Sequence, residues 1–324
     1  MKKEQQGFIL AATLWMLAFM IMAASYFSHI TLAAVEKSRV QQQNIKTEIA
    51  LHDMQTLLLY LITTGNITSS GLKLPSTTSI PAGVITSKIA TTKNIIPLDE
   101  RTMTGIKNTY FSIQDEAGLV PVNSNNTQII ATLIKLLGIP SEEVGALIAK
   151  LKDYRDIDEL YRINGAEKSD YEKQNLAPPI NADLYTSWQT RNILGWAGQK
   201  KLWNNNLLPK YTNAVWSAIP NINTAPKLVL QTIPGVSATN AQQIIDHRQQ
   251  HPFISLTPLY AAIGKNLNLD PLGTNFFPSR FLRISIWSSN KRLKRIIHVE
   301  LTPQSNHGKP WRINTQYDIS YNDK

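Results

Sequence analysis

Residues 1–36 read MKKEQQGFILAATLWMLAFMIMAASYFSHITLAAVE, and the composition of this stretch sets the architecture of the chain. No side chain between Glu4 and Glu36 carries a fixed charge, and Phe8 to Val35 is dominated by Ala, Leu, Ile, Met, Phe and Trp. A helix crosses the hydrocarbon of a bilayer with about 20 such residues, because its backbone polar groups are satisfied internally while its side chains meet lipid. The stretch exceeds that length. A removable secretory signal has an apolar region of only about 7 to 15 residues followed by small residues at its cleavage site, so a retained membrane span is the expectation. Charge alone does not orient it, since Lys2 and Lys3 precede the span and Lys37, Arg39 and Lys46 follow it.

Moving outward, Ile45, Ile49, Met54, Leu57, Leu58 and Leu61 keep a helical spacing up to the breaker Thr63, Thr64, Gly65, Asn66. One long helix is therefore expected to run from the membrane into a globular part. From Gly65 to about Arg101 the chain is rich in Thr, Ser, Gly and Pro, with short apolar pieces around Val84 to Ile89, and reads as loops with edge strands. Tyr110 to Ile113 reads as a strand, and DEAGLVPVN (115–123) leads into helical periodicity from about Thr127 to Ile263. After Pro278 the period becomes two: Phe281, Arg283, Ser285 and Trp287 alternate with Leu282, Ile284 and Ile286. Ile296 to Leu301 and Trp311 to Tyr321 follow as strands of one antiparallel meander. The fold class is α+β, a sheet interrupted by a large helical insertion.

The 324 residues carry 33 Lys and Arg against 23 Asp and Glu, for a net charge of +10. Such a balance favours polyanions or acidic lipid, but the cations are scattered apart from Lys291, Arg292, Lys294 and Arg295, a group typical of a solvated turn or strand edge. Cysteine is absent, which excludes disulfides, Cys-based zinc sites and thiol nucleophiles. No G-x-S-x-G, P-loop, H-E-x-x-H or dinucleotide fingerprint is present. His247 and His251 have helical metal-ligand spacing, but Pro252 follows directly and no third ligand is evident, so a pair of surface histidines at a helix end is the reading. The chain is not read as an enzyme.

Two stretches of the middle region look related. In NINTAPKLVLQTIPGVSATNAQQIIDHR (221–248), Thr224 is placed to cap a helix with Pro226 in its first turn, and Pro234, Gly235 and Val236 form a hairpin before a second helix. In NNTQIIATLIKLLGIPSEEVGALIAKL (125–151), Gly138 and Ile139 take the hairpin position, and Leu147 and Ile148 correspond to Ile244 and Ile245. Both read as helix-hairpin-helix units. Where that motif holds DNA, hairpin N–H groups and nearby cations grip a phosphate. Here Ala238, Thr239 and Asn240 bring no cation and Glu142 and Glu143 repel phosphate, so nucleic acid is disfavoured and a packing role preferred.

LKDYRDIDELYRINGAEKSDYEKQ (151–174) places Asp153, Asp156, Asp158, Glu167 and Asp170 around a turn signalled by Asn164 and Gly165. Hard cations take six to eight oxygen ligands, which makes these carboxylates candidate calcium ligands. The competing reading is a solvated acidic turn neutralised by Lys152, Arg155, Arg162 and Lys168.

KKEQQGFILAATLWML resembles the class III leader of type IV pilins and secretion pseudopilins, a short basic segment that ends in Gly before Phe and an apolar helix. The fifth position after Gly7 is Ala12, where most of that superfamily has Glu; its lack is the habit of the K-type minor pseudopilins of type II secretion. The acidic passage is also similar to the K-type signature D-W-I-D-x-D, spacer, G-A-E-D and a nearby Tyr. Asp153, Asp156, Asp158, Gly165, Ala166, Glu167 and Tyr171 match; Tyr154, Arg155 and Lys168 depart from it. The resemblance implies cleavage between Gly7 and Phe8 by prepilin peptidase, methylation of the Phe8 amine, and an inner-membrane anchor with the rest in the periplasm. It implies partnership with I-type and J-type minor pseudopilins and with the H-type and major G-type subunits. The function implied is to cap the pseudopilus tip and promote assembly; the alternative is a membrane-anchored helix-hairpin-helix DNA receptor of the competence type. The expected organisation is a leader over 1–7, a span over 8–35, helix continuation and first part of the head over 36–115, a helical insertion with SAM-like units over 116–275, and closing strands over 276–324.

Overall fold

A computed structural model of the chain describes residues 6–74, 94–215, 220–264, 269, 274–289, 293–303 and 308–320, with side chains from Phe8 onward. The apolar pieces at Val84 to Ile89, the leader as far as Gln5, and Lys291 and Arg292 lie outside the described residues. The first element, α1, spans Gln6–Thr64, and the chain divides into two compact units, residues 1–53 and 54–324.

Over residues 8–35 α1 is apolar on every side. Phe8, Trp15, Phe19, Phe27 and Leu32 are all exposed, an arrangement that suits lipid rather than water. The hydroxyls of Thr13 and Thr31 donate to the carbonyls of Leu10 and Phe27 on the same helix, at 2.9 and 2.8 Å, so neither needs an outside partner. It is the one helix among the described residues long and apolar enough to cross a membrane.

The second unit opens with the last turns of α1, where Met54, Leu58 and Leu61 are fully buried. The helix stops where sequence expected, after Thr64, and the chain turns at Gly65, which has no room for a side chain. A Cβ there would lie 2.9 Å from the carbonyl oxygens of both Leu61 and Lys73. Strands β1 (Asn66–Thr68), β2 (Gly71–Lys73) and β3 (Ile95–Ile96) then form a small antiparallel sheet.

The main sheet contains β4 (Met103–Thr104) and β5 (Thr109–Asp115), and after a long excursion β8 (Phe281–Ser288), β9 (Leu293–Leu301) and β10 (Trp311–Ser320). Its order is β10-β9-β8-β5-β4, antiparallel throughout. Period-two alternation puts Phe111 and Ile113 opposite Ile286 and Ile284, and Ile284 and Leu282 opposite Ile297 and Val299, on one continuous apolar face. The other face of β8 is also covered. Arg283 there donates to the carbonyls of Pro209 and Lys210 at 2.9 and 2.8 Å, which explains how an arginine sits buried in a central strand.

The excursion between β5 and β8 begins with a 3-10 turn (Glu116–Gly118) and β6 (Val120–Pro121). Its helices are α2 (Gln128–Leu136), α3 (Ser141–Asp153), α4 (Lys168–Glu172), α5 (Lys200–Trp203), α6 (Leu207–Tyr211), α7 (Lys227–Leu230), α8 (Ala238–Arg248) and α9 (Leu256–Ile263). β7 (Thr212–Asn213) pairs with β6 in parallel. One apolar core drawn from residues Val120 to Phe276 fills this region, with Trp196 and Tyr171 wholly enclosed.

α2 and α3, and α7 and α8, are each joined by a short turn in which Gly138 or Gly235 adopts positive φ, +95° and +84°. Ser237 caps α8 by accepting from the Asn240 N–H at 3.1 Å. Three local expectations change. Thr224 does not cap α7, whose N-cap is Pro226; its hydroxyl is taken by buried Asp115. His251 lies past the end of α8, and the His247 ring stacks on Phe253 at 4.6 Å, a packing role. Within the stretch from about Thr127 to Ile263 expected to be mostly helical, residues 154–199 hold only α4 and a 3-10 turn (Ser187–Asn192); besides the expected turn at Asn164, Asn175, Asn181 and Gly195 also take positive φ.

Candidate functional site

Phe8 lies in the first turns of α1 with its side chain 80% exposed, and Ala12 follows one turn later on the same helix.

The acidic passage forms a loop between α3 and α4. Asp153, the last residue of α3, is completely buried. Its Oδ1 accepts from Arg162 Nη1 at 2.6 Å, and its Oδ2 from the backbone N–H groups of Ala166 at 3.0 Å and Arg162 at 3.3 Å. Asp156 Oδ2 meets the same Arg162 nitrogen, while its Oδ1 is buried without a partner. The two aspartates hold the guanidinium above its ordinary pKa, Asp153 contributing most. The backbone closes tightly over this pair: a Cβ on Gly165 would stand 1.7 Å from Asp153 Oδ2.

Glu167 is 1% exposed; it is the N-cap of α4, facing the Asp170 N–H in a reciprocal cap, and neither carboxylate oxygen makes a well-formed hydrogen bond. Burial, then the charges of Asp153 and Asp156, push its carboxyl up to about 7. The remaining predicted residues turn to local tasks. Asp158 accepts from the Leu160 N–H at 2.9 Å; Asp170 accepts from the Glu167 N–H at 3.3 Å and from Lys173 at 3.2 Å. The structure thus brings Asp153 and Asp156 together, places Glu167 in their field and that of Asp158, and sets Asp170 on the Glu167 backbone as its partner in the cap of α4.

Two of the three residues that depart from the signature, Tyr154 and Arg155, have identifiable work. Tyr154 packs on Tyr171 with ring centroids 5.8 Å apart, and the Tyr171 hydroxyl accepts from the Leu194 N–H at 3.1 Å. Burial first, then the neighbouring Tyr154, Glu167 and Asp153, push the Tyr171 hydroxyl up to about 12 against the opposing bond from the Leu194 N–H. Arg155 donates to the carbonyls of Val122 and Asn123 and to Asp183, tying the loop to the start of the insertion.

Orphaned oxygens on Glu167 and Asp156 are what a hard cation would use, but Arg162 already supplies positive charge at this position. Among the described residues no three His, Asp or Glu side chains reach a metal-holding arrangement. The set as folded therefore does not fit calcium while Arg162 stays in place. Exposed Ile157, Leu160 and Ile163 stand on the outside of the loop.

A lipid-compatible helix continuing into an antiparallel sheet, with a helical body between the strands, is an α+β architecture of the pseudopilin kind. No family model matches the chain, and no curated protein does. A solved structure described as the crystal structure of the GspK-GspI-GspJ complex from the type 2 secretion system of enterotoxigenic Escherichia coli is similar in fold. It aligns with a TM-score of 0.56 at 14% identity, covering 88% of this chain and 99% of that one. The chain has the fold of a GspK-type minor pseudopilin.

Proposed function

We propose that this protein is a minor pseudopilin of the K type, which caps the pseudopilus tip of a type II secretion system and promotes its assembly for protein export. The observation that carries the reading is the extent of the fold similarity. It takes in 99% of the solved chain and so the helical body as well as the sheet. The pilin-like leader supports cleavage at Gly7–Phe8 by prepilin peptidase, and methylation of Phe8.

Mechanistically, α1 holds the subunit in the inner membrane with the globular part in the periplasm. Ala12 fits a terminal position, because a carboxylate in the bilayer is costly unless a neighbour's amine pairs with it. A subunit with nothing above it has no use for one. The insertion over 116–275, with its two hairpin-joined helix pairs used for packing, obstructs addition of further subunits. I-type and J-type subunits are the direct partners, as in the solved complex, with H-type and G-type subunits below. The role is structural and not enzymatic.

Co-purification of the full chain in detergent with I-type and J-type minor pseudopilins tests this, with DNA binding measured across salt concentrations on the same sample. A ternary complex stable to gel filtration is expected. A chain that stays alone and binds DNA with a steep salt dependence would instead be a membrane-anchored DNA receptor. Mass spectrometry of the mature protein supplies an independent check: a methylated N-terminal Phe8 is expected, and a chain that retains Met1 to Gly7 beside active prepilin peptidase is incompatible with the reading.

A further inference from the structure

The loop between α3 and α4 contains an occupied cation position and idle acceptors beside it. Arg162 bridges Asp153 and Asp156, and its side chain is 41% exposed where that of Asp153 is wholly enclosed, so the guanidinium closes the acidic pocket from the solvent side. Glu167 and the second oxygen of Asp156 remain buried and unpartnered. Leaving a carboxylate buried without a partner is costly, and removing its cation costs more. A hard divalent ion in the same place would recruit such oxygens, but a planar guanidinium with fixed N–H directions reaches only some of them.

We infer that Arg162 is the resident cation of this loop: a tethered guanidinium provides the neutralisation that a hard divalent metal ion would otherwise provide, so the loop keeps its fold without metal, and metal becomes necessary only when Arg162 is removed. The departure of the chain from a metal-ready ligand set is then a substitution of one cation for another. The inference concerns the loop alone and stands or falls separately from the pseudopilin reading.

The test uses the full chain in detergent micelles, wild type against Arg162→Gln and Arg162→Lys, in chelator and in calcium. Thermal unfolding and chymotryptic cleavage at Leu160 and Tyr161 are followed together. The wild-type midpoint is expected to be the same in both conditions to within about 1 °C. Arg162→Gln should fall by roughly 5 °C or more in chelator, with faster cleavage of the loop, and recover both properties in calcium. Arg162→Lys, which keeps the charge but not the fork, should lie between them. A wild-type midpoint that rises by several degrees in calcium overturns the inference, as does an Arg162→Gln chain indifferent to chelator. If Arg162→Gln does not accumulate, terbium luminescence decides on the wild type. Absence of sensitised emission at micromolar terbium supports the resident guanidinium, and strong saturable emission that Asp153→Asn abolishes refutes it.

Discussion

Asp115 Oδ2 accepts a hydrogen bond from the Thr224 hydroxyl at 2.8 Å, across 109 residues of chain. The same carboxylate takes donors from Asn221 at 2.9 Å, from the Ser279 N–H and hydroxyl at 3.0 and 2.7 Å, and from the Ala117 N–H at 3.1 Å. It thus joins the end of β5, the approach to α7 and the entry into β8 at one buried point. Burial pushes the Asp115 carboxyl above its ordinary value, although the donors from Ser279, Thr224 and Asn221 oppose this.

Asp115→Ala removes the acceptor of five donors: those of Thr224, Asn221 and Ala117 are left buried, those of Ser279 half-buried, with the Ser279 hydroxyl still able to reach the Phe281 carbonyl. Charge-assisted bonds count for more than neutral ones, so a loss of about 3–5 kcal/mol is expected in urea unfolding. Thr224→Val deletes a single donor and should cost about 1 kcal/mol. Equal losses for the two variants would show that Asp115 is not the hub.

Glu167 gives the protein a pH dependence of definite sign. Its carboxyl is raised from 4.5 to about 7 by burial first and the neighbouring aspartates second. The folded state prefers the protonated form. This contribution to stability is complete below the unfolded value and is lost as pH rises through about 7. Glu167→Gln should therefore gain on wild type by on the order of 1–3 kcal/mol between pH 5 and pH 8. Parallel unfolding profiles for the two proteins across that window would contradict it.

Two glycines of the same region should respond in opposite directions. Gly165→Ala forces a Cβ to within 1.7 Å of Asp153 Oδ2 and must displace the Asp153–Arg162 pair; a loss of about 2 kcal/mol or more is expected. Gly145 lies on the exposed face of α3 with nothing within 4 Å of an added Cβ. Gly145→Ala should stabilise by about 0.5–1 kcal/mol through helix propensity. Chemical unfolding of both variants checks the pair, and a destabilised Gly145→Ala would refute the assignment of that face to solvent.

The readability of this chain follows the range over which its physics acts. Phe8 to Val35 was legible because a helix in lipid needs one composition throughout, and Phe281 to Ser288 because a strand writes its period residue by residue. Thr224 misled for the opposite reason. Its place before Pro226 satisfies the local rule for a cap, but a buried carboxylate from β5 binds the hydroxyl more strongly. Asp115 has a local role as the cap of the turn that follows it, accepting from the Ala117 N–H, but its long-range role left no local signal, since Asn221, Thr224 and Ser279 lie 106 to 164 residues away. Among the cations near the acidic turn, sequence weighed Lys152, Arg155, Arg162 and Lys168 equally. Only the fold directs Arg155 to backbone carbonyls and Arg162 to Asp153 and Asp156.

Arg248 provides a last, demanding test of the junction between α8 and the strands. Its Nη1 donates to the carbonyls of Ile222 and Ala225, both at 2.8 Å, and its Nη2 stands 3.7 Å from Asp99 Oδ2, with both side chains of that ion pair almost wholly buried. A planar fork serves carbonyls and carboxylate at once; a lysine ammonium on a shorter reach cannot hold the same geometry. Arg248→Lys should therefore lose about 2 kcal/mol despite keeping the charge, and Arg248→Ala about 3 kcal/mol, because the carbonyls of Ile222 and Ala225 lose their donor beside a void, while Asp99 keeps its pairing with Arg101 at 2.9 Å. Asp99→Asn takes an anion from both Arg248 and Arg101, so it should cost less in the Arg248→Ala background, where only the Arg101 pair remains to be lost, than in the wild type. A double-mutant cycle from urea unfolding measures this, and additivity of the two changes would mean that the pair is not coupled.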